Sequence, residues 1–119
     1  APEIDDAYSF LAWAGGYDHN FVLDKPLGET GIAASFYDPA SGRKMEVYTD
    51  LPGMQLYAGN YINNGLIGKG GCTYGKRHGV AFETQYFPNA INIPSFPQPI
   101  QKAGELTKTT TTYKFTTVS

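Results

Sequence analysis

The sequence predicts an all-β fold built from short antiparallel strands. No segment sustains a helical period, which leaves strands and turns as the available elements. The 14 glycines and eight prolines are spread along the chain and punctuate it into short runs. The run Thr109 to Val118, rich in Thr, Tyr and Phe, has the β-propensity of branched and aromatic side chains and hardly any other reading. At 119 residues, with 41% hydrophobic and 17% charged, the chain, 1–119, is one domain at most, and it is globular and not disordered.

The elements follow in order. Residues 1–16 read as an entry segment with a short helical turn around Asp5 to Trp13, and Trp13 reads as a core residue. Asn20 to Asp24 is a short strand closed by Lys25-Pro26-Leu27-Gly28. Ile32 to Tyr37 and Lys44 to Thr49 form a hairpin across Asp38-Pro39-Ala40-Ser41-Gly42. Asp first, Pro second and Gly last is the chemistry of a type I turn between antiparallel strands. Arg43 and Glu46 read as cross-strand surface charges in it. Leu51-Pro52-Gly53 breaks the chain before a strand from Gln55 to Tyr61. Six glycines in the 17 positions 63–79 predict a long loop. A strand through Glu83, a proline-rich loop, a turn at Gly104 and the closing strand complete the chain.

Charge and composition exclude several functions. A net charge of −2 and scattered Lys and Arg argue against nucleic acid, which needs a concentrated basic patch. No apolar run is long enough for a membrane span, and no secretory pattern opens the sequence. Cys72 alone can form neither an intrachain disulfide nor a cysteine metal site, and a reducing, cytoplasmic setting is the expectation. Nine Tyr, seven Phe and one Trp suit half-buried sheets and sugar-stacking clefts alike.

The most informative stretch runs from Gly79 to Pro97. Side chains alternate along a strand, so Glu83 shares its face with Gly79, Ala81 and Gln85, while Val80, Phe82, Thr84 and Tyr86 point the other way. The first face is small and polar, with room for a ligand beside a carboxylate. The second suits a core. A loop with Asn89, Asn92 and three prolines follows directly, and the two asparagines read as partners for its own backbone. Asp18 follows Gly15-Gly16 and reads either as a turn cap or as a ligand anchor. His19 reads as a packing or hydrogen-bonding residue.

Several blocks then resemble one family. Tyr17-Asp18-His19-Asn20-Phe21, Ser41-Gly42-Arg43-Lys44-Met45-Glu46-Val47, Pro52-Gly53-Met54-Gln55-Leu56-Tyr57 with Gly59-Asn60, and Glu83-Thr84-Gln85 with Phe87-Pro88-Asn89-Ala90 and Asn92 look like successive blocks of the galactose mutarotases, or aldose 1-epimerases. Gly104-Glu105 and Thr112-Tyr113-Lys114-Phe115 resemble that family's C-terminus. The blocks stand in the family's order and cover nearly the whole chain.

The resemblance implies an antiparallel β-supersandwich, of which this chain is the C-terminal portion. It implies interconversion of α and β anomers of aldohexoses by ring opening and reclosure. No metal and no cofactor take part, since both steps are proton transfers. By motif, Glu83 is the catalytic base, and Asp18 and Gln55 bind the substrate. The family's acid histidine and a sugar-binding Asn-Arg pair lie upstream of the Asp18 block, so neither His19 nor His78 matches the acid. The resemblance therefore implies an aldohexose substrate, and a chain that accompanies its upstream segment or associates with itself. A non-catalytic carbohydrate-binding sandwich and a purely structural fragment are the competing readings.

Overall fold

The computed structural model describes residues 10–118. Helix is confined to α1 (Phe10–Trp13) and two single 3-10 turns among those residues. The strands are β1 (Asp18–Val22), β2 (Gly31–Asp38), β3 (Arg43–Thr49), β4 (Gly53–Tyr57), β5 (Leu66–Ile67), β6 (Thr73–Tyr74), β7 (Ala81–Gln85) and β8 (Thr111–Thr117). They hydrogen-bond as two three-stranded sheets, β1-β4-β7 and β2-β3-β8, and the two-stranded β5-β6. The all-β antiparallel expectation holds.

The chain divides into two compact units. One contains Phe21–Met54 and the residues from Thr84 onward. Its centre is β3, paired antiparallel on both sides: Val47 lies opposite Ala34 and Tyr113, Met45 opposite Phe36 and Phe115, Glu46 opposite Ser35 and Lys114. Residues that oppose one another share a face. One face is therefore apolar along Ala34-Val47-Tyr113 and Phe36-Met45-Phe115, and the other is charged. Val47 is fully buried, whereas Phe36 is 46% and Phe115 74% exposed, so this face is covered at one end and bare at the other. The charged face holds Glu46 between Lys44 (2.8 Å) and the cross-strand Lys114 (3.6 Å). Arg43 faces Asp38 across the pair. Both charges are where the hairpin reading puts them.

The hairpin closes as expected, with one difference. Gly42 N–H, and not Ser41 N–H, donates to Asp38 C=O at 2.9 Å. Gly42 stands at φ +70°, and a Cβ there would come to 2.6 Å from Val118 C=O, so the last loop position takes glycine for two reasons. The Asp38 carboxylate organises the loop itself, accepting from Ser41 Oγ (2.5 Å) and Ala40 N–H (3.2 Å). A classification by four residues misses that extra step because the turn is completed by a side chain.

Two fixed points complete this unit. Thr49 is fully buried, yet its Oγ1 lies 3.2 Å from Thr110 C=O and 3.1 Å from Thr111 Oγ1, and accepts Leu51 N–H at 3.2 Å. Thr84 Oγ1 joins Thr111 Oγ1 at 2.5 Å, which extends the hydroxyl chain to the end of β7. In the proline-rich loop, Gln98 Nε2 reaches the carbonyls of Ala90 (2.8 Å), Ile93 (2.9 Å) and Phe96 (2.9 Å). Phe87 and Phe96 meet edge to face at 5.1 Å. Asn92 Nδ2 donates to Asn89 Oδ1 at 2.6 Å, so the two asparagine side chains pair with each other and not, as expected, with the loop backbone, where Asn92 N–H itself reaches Asn89 C=O at 3.0 Å.

The other unit contains the residues up to Asn20 and Gln55–Glu83. Ala58 N–H donates to Tyr17 C=O at 2.9 Å and ties the start of β1 to the end of β4. β4 ends at Tyr57, short of the expected Tyr61, because Gly59 turns the chain at φ +68° with Gly79 C=O close against it. β1 likewise begins two residues earlier than expected, at Asp18. The long 63–79 loop contains the β5–β6 pair and a 3-10 turn at Lys69–Gly71, none of which was expected. Trp13 is 77% exposed, which corrects the core reading: α1 is a single turn and has no face wide enough to bury an indole. The Asp5–Phe10 part of the expected helical turn lies outside the described residues except for Phe10.

Candidate functional site

Asp18 opens β1 and Gln55 sits at the centre of β4, the adjacent strand. Gln55 Nε2 donates to Asp18 Oδ1 at 2.8 Å. Both side chains are partly buried. The bond uses Asp18 Oδ1 as its acceptor. The turn-cap reading of Asp18 is displaced, because its carboxylate is spent across the sheet and not on its own loop.

Glu83 lies on β7, the strand on the other side of β4. It is the one exposed residue of that strand, with Ala81, Phe82, Thr84 and Gln85 all half-buried. No side-chain partner engages it among the described residues. The strand order therefore makes neighbours of the three strands that carry Asp18, Gln55 and Glu83. It brings Asp18 and Gln55 into direct contact. Glu83 is joined to them through the sheet alone.

His19 is accounted for locally. Its Nδ1 accepts the backbone N–H of Asp18 at 3.0 Å, which leaves the ring proton on Nε2. This is the hydrogen-bonding role expected of it. His78 is exposed, in the turn that leads to β7. Cys72 is exposed. Among the described residues, no three His, Cys, Asp or Glu side chains gather as a metal site, and no helix is long and apolar enough to cross a membrane.

Sequence reasoning passed over the residues that hold this region together. Among the described residues of this unit the buried positions are Gly16, Gly59, Asn60 and Gly75, so there the backbone packs against backbone and amide. Asn60 Nδ2 donates to Tyr17 C=O (2.8 Å), Tyr61 Oη to Ala14 C=O (2.7 Å) and Arg77 Nη2 to Gly15 C=O (3.1 Å). The available signal was the glycine pair before Asp18: a Cβ at Gly16 would collide with the Asn60 amide.

Comparison with known proteins gives a consistent answer. The family model described as Aldose 1-epimerase matches residues 2–114. Galactose mutarotase of Homo sapiens is 45% identical over 100 residues, which is 84% of this chain and 29% of the human one. Galactose mutarotase of Mus musculus is 44% identical over the same shares. Aldose 1-epimerase of Escherichia coli (strain K12) is 32% identical over 102 residues, again 84% of this chain and 29% of that protein. The chain thus spans under a third of the length of the relatives it matches. Ordered motif blocks, antiparallel sheets and a family match over nearly every residue lead to one assignment: the chain belongs to the aldose 1-epimerase family.

Proposed function

We propose that this chain supplies the base and part of the sugar site of an aldose 1-epimerase acting on aldohexoses such as galactose or glucose. The observation that carries the proposal is the Gln55–Asp18 bond of 2.8 Å, made between β4 and β1 while Glu83 stands exposed on the neighbouring β7. In this reading Asp18 and Gln55 hold sugar hydroxyls, and carbohydrate binding precedes catalysis. Glu83 takes the proton of the C1 hydroxyl. The C1–O5 bond breaks as a carbonyl forms at C1, and O5 receives a proton from an acid. Rotation about C1–C2 and reversal of both transfers close the ring as the other anomer. The family resemblance assigns the acid to a histidine upstream of this chain, which makes the upstream part of the same protein the partner of this site. The cytoplasm is the proposed setting, supported by the single cysteine.

Polarimetry on freshly dissolved α-galactose and α-glucose with the full-length protein tests the activity. Glu83→Gln removes the base and keeps the side chain's size, so kcat is expected to fall by about 10²- to 10⁴-fold with sugar affinity largely kept. Full activity in that variant removes Glu83 from the mechanism. Binding by calorimetry combined with a wild-type rate no faster than buffer would favour the non-catalytic sugar-binding reading.

A further inference from the structure

The four residues before Asp18 are held more tightly than a connecting segment requires. The end of α1 fixes two of their donors, with Gly15 N–H on Ala12 C=O (3.1 Å) and Gly16 N–H on Leu11 C=O (2.7 Å). Three of their acceptors are taken by side chains from one downstream stretch: Tyr61 on Ala14, Arg77 on Gly15 and Asn60 on Tyr17. Gly16 has no room for a side chain beneath Asn60, which is only 6% exposed.

The three side chains are themselves fixed. Tyr61 stacks on Tyr57 with ring centroids 6.2 Å apart, and its backbone N–H bonds Tyr57 Oη at 3.0 Å. Arg77 adopts a left-handed backbone conformation, φ +62°, which is costly for a residue with a side chain. Its N–H bonds Gly59 C=O at 2.9 Å, and this contact and the guanidinium contact to Gly15 together hold it there.

Tyr17 C=O is the point where these restraints meet Asp18. It accepts both Ala58 N–H (2.9 Å) and Asn60 Nδ2 (2.8 Å), and the next residue is Asp18. Ala58 and Asn60 lie just beyond the end of β4, the strand that carries Gln55. One carbonyl therefore registers both members of the Asp18–Gln55 pair. We propose that Asn60, Tyr61 and Arg77 are positioning residues that clamp Ala14–Tyr17 and so set the orientation of Asp18 toward Gln55 and the sugar. The inference rests on the reading of Asp18 as a sugar-binding residue.

The test uses the full-length protein with Asn60→Ala, Tyr61→Phe, Arg77→Ala and Arg77→Lys, and with Asp18→Asn as reference. Loss of a positioning bond is expected to raise KM for α-galactose about tenfold in Asn60→Ala with kcat nearly kept. Arg77→Lys, which keeps the charge but not the forked donor, is expected between wild type and Arg77→Ala. Unchanged KM in a variant that merely melts earlier would overturn the clamp. If Asn60→Ala does not fold, Tyr61→Phe removes a single oxygen and decides the matter by the same criterion. If Asp18→Asn itself leaves KM untouched, the sugar reading of Asp18 has failed. Hydrogen exchange then decides the clamp alone: the Ala58 amide is expected to exchange at least about tenfold faster in Asn60→Ala, and an unchanged rate would overturn it.

Discussion

Thr49 shows what a buried hydroxyl does when every one of its options is used. It is fully buried, shares one hydrogen bond with Thr111, reaches Thr110 C=O and receives Leu51 N–H. Thr49→Val keeps the shape and strips all three interactions, stranding Leu51 N–H. A loss of about 1–3 kcal/mol in denaturant unfolding of the full-length protein is expected. Thr49→Ser, which keeps the oxygen, is expected to recover most of it, and a loss in Thr49→Ser as large as that in Thr49→Val would overturn the assignment to the hydroxyl. These bonds were not legible in the sequence. Thr49 reads there as one more branched residue in a strand, and its two threonine partners lie 61 and 62 positions away. The same holds for Gln98, Asn60 and Arg77, whose partners are carbonyls placed only by the folded chain. Glu83, Asp18 and Gln55 could be proposed from the sequence because each stands in a short block whose neighbours are distinctive.

At the scale of elements, the β2–β3 hairpin was read correctly and β5–β6 was not, for one physical reason. The hairpin has alternating strands of seven and eight residues and a turn with Asp, Pro and Gly in their usual places. Strands of two residues in a glycine-rich stretch leave no period to detect. The hairpin's charges also give it a pH dependence. The Lys44 hydrogen bond, with the nearby Lys114 charge, holds the Glu46 carboxyl below its ordinary value, and bonds from Ser41 and Ala40 do the same for Asp38. Lowered carboxyl values mean that their contribution is present above the ordinary carboxyl range and lost as pH falls through the lowered ones. Lys44 is shifted upward by Glu46, so its share is present below the ordinary lysine value and lost as pH rises through the raised one. The Tm of the full-length protein is expected to fall below about pH 4, with a shallower fall in Glu46→Gln. Identical acid limbs in the two proteins would show that this cluster is inert.

At the scale of the whole molecule, the question is what covers the bare end of the β2-β3-β8 face. Phe36 and Phe115 flank Met45 there and are 46% and 74% exposed. Because the matched region is 29% of the length of its relatives, we propose that the upstream part of the same chain packs on these rings. The 119 residues alone are then expected to self-associate, read by light scattering, and Phe115→Lys is expected to reduce that association. A monodisperse, stable monomer would argue against any such cover.

The central position of β3 has a consequence for the order of assembly. Its hairpin partner β2 is adjacent in sequence, whereas Thr49 and Thr111 are 62 positions apart. During synthesis the hairpin can close as soon as Thr49 has emerged, but the second edge of β3 stays open until β8 has been made. For that interval Val47, later fully buried, sits on a strand with an unpaired edge. A strand paired on both sides in the finished molecule is thus open along one edge in the nascent chain, and β8 is the strand that ends the exposure.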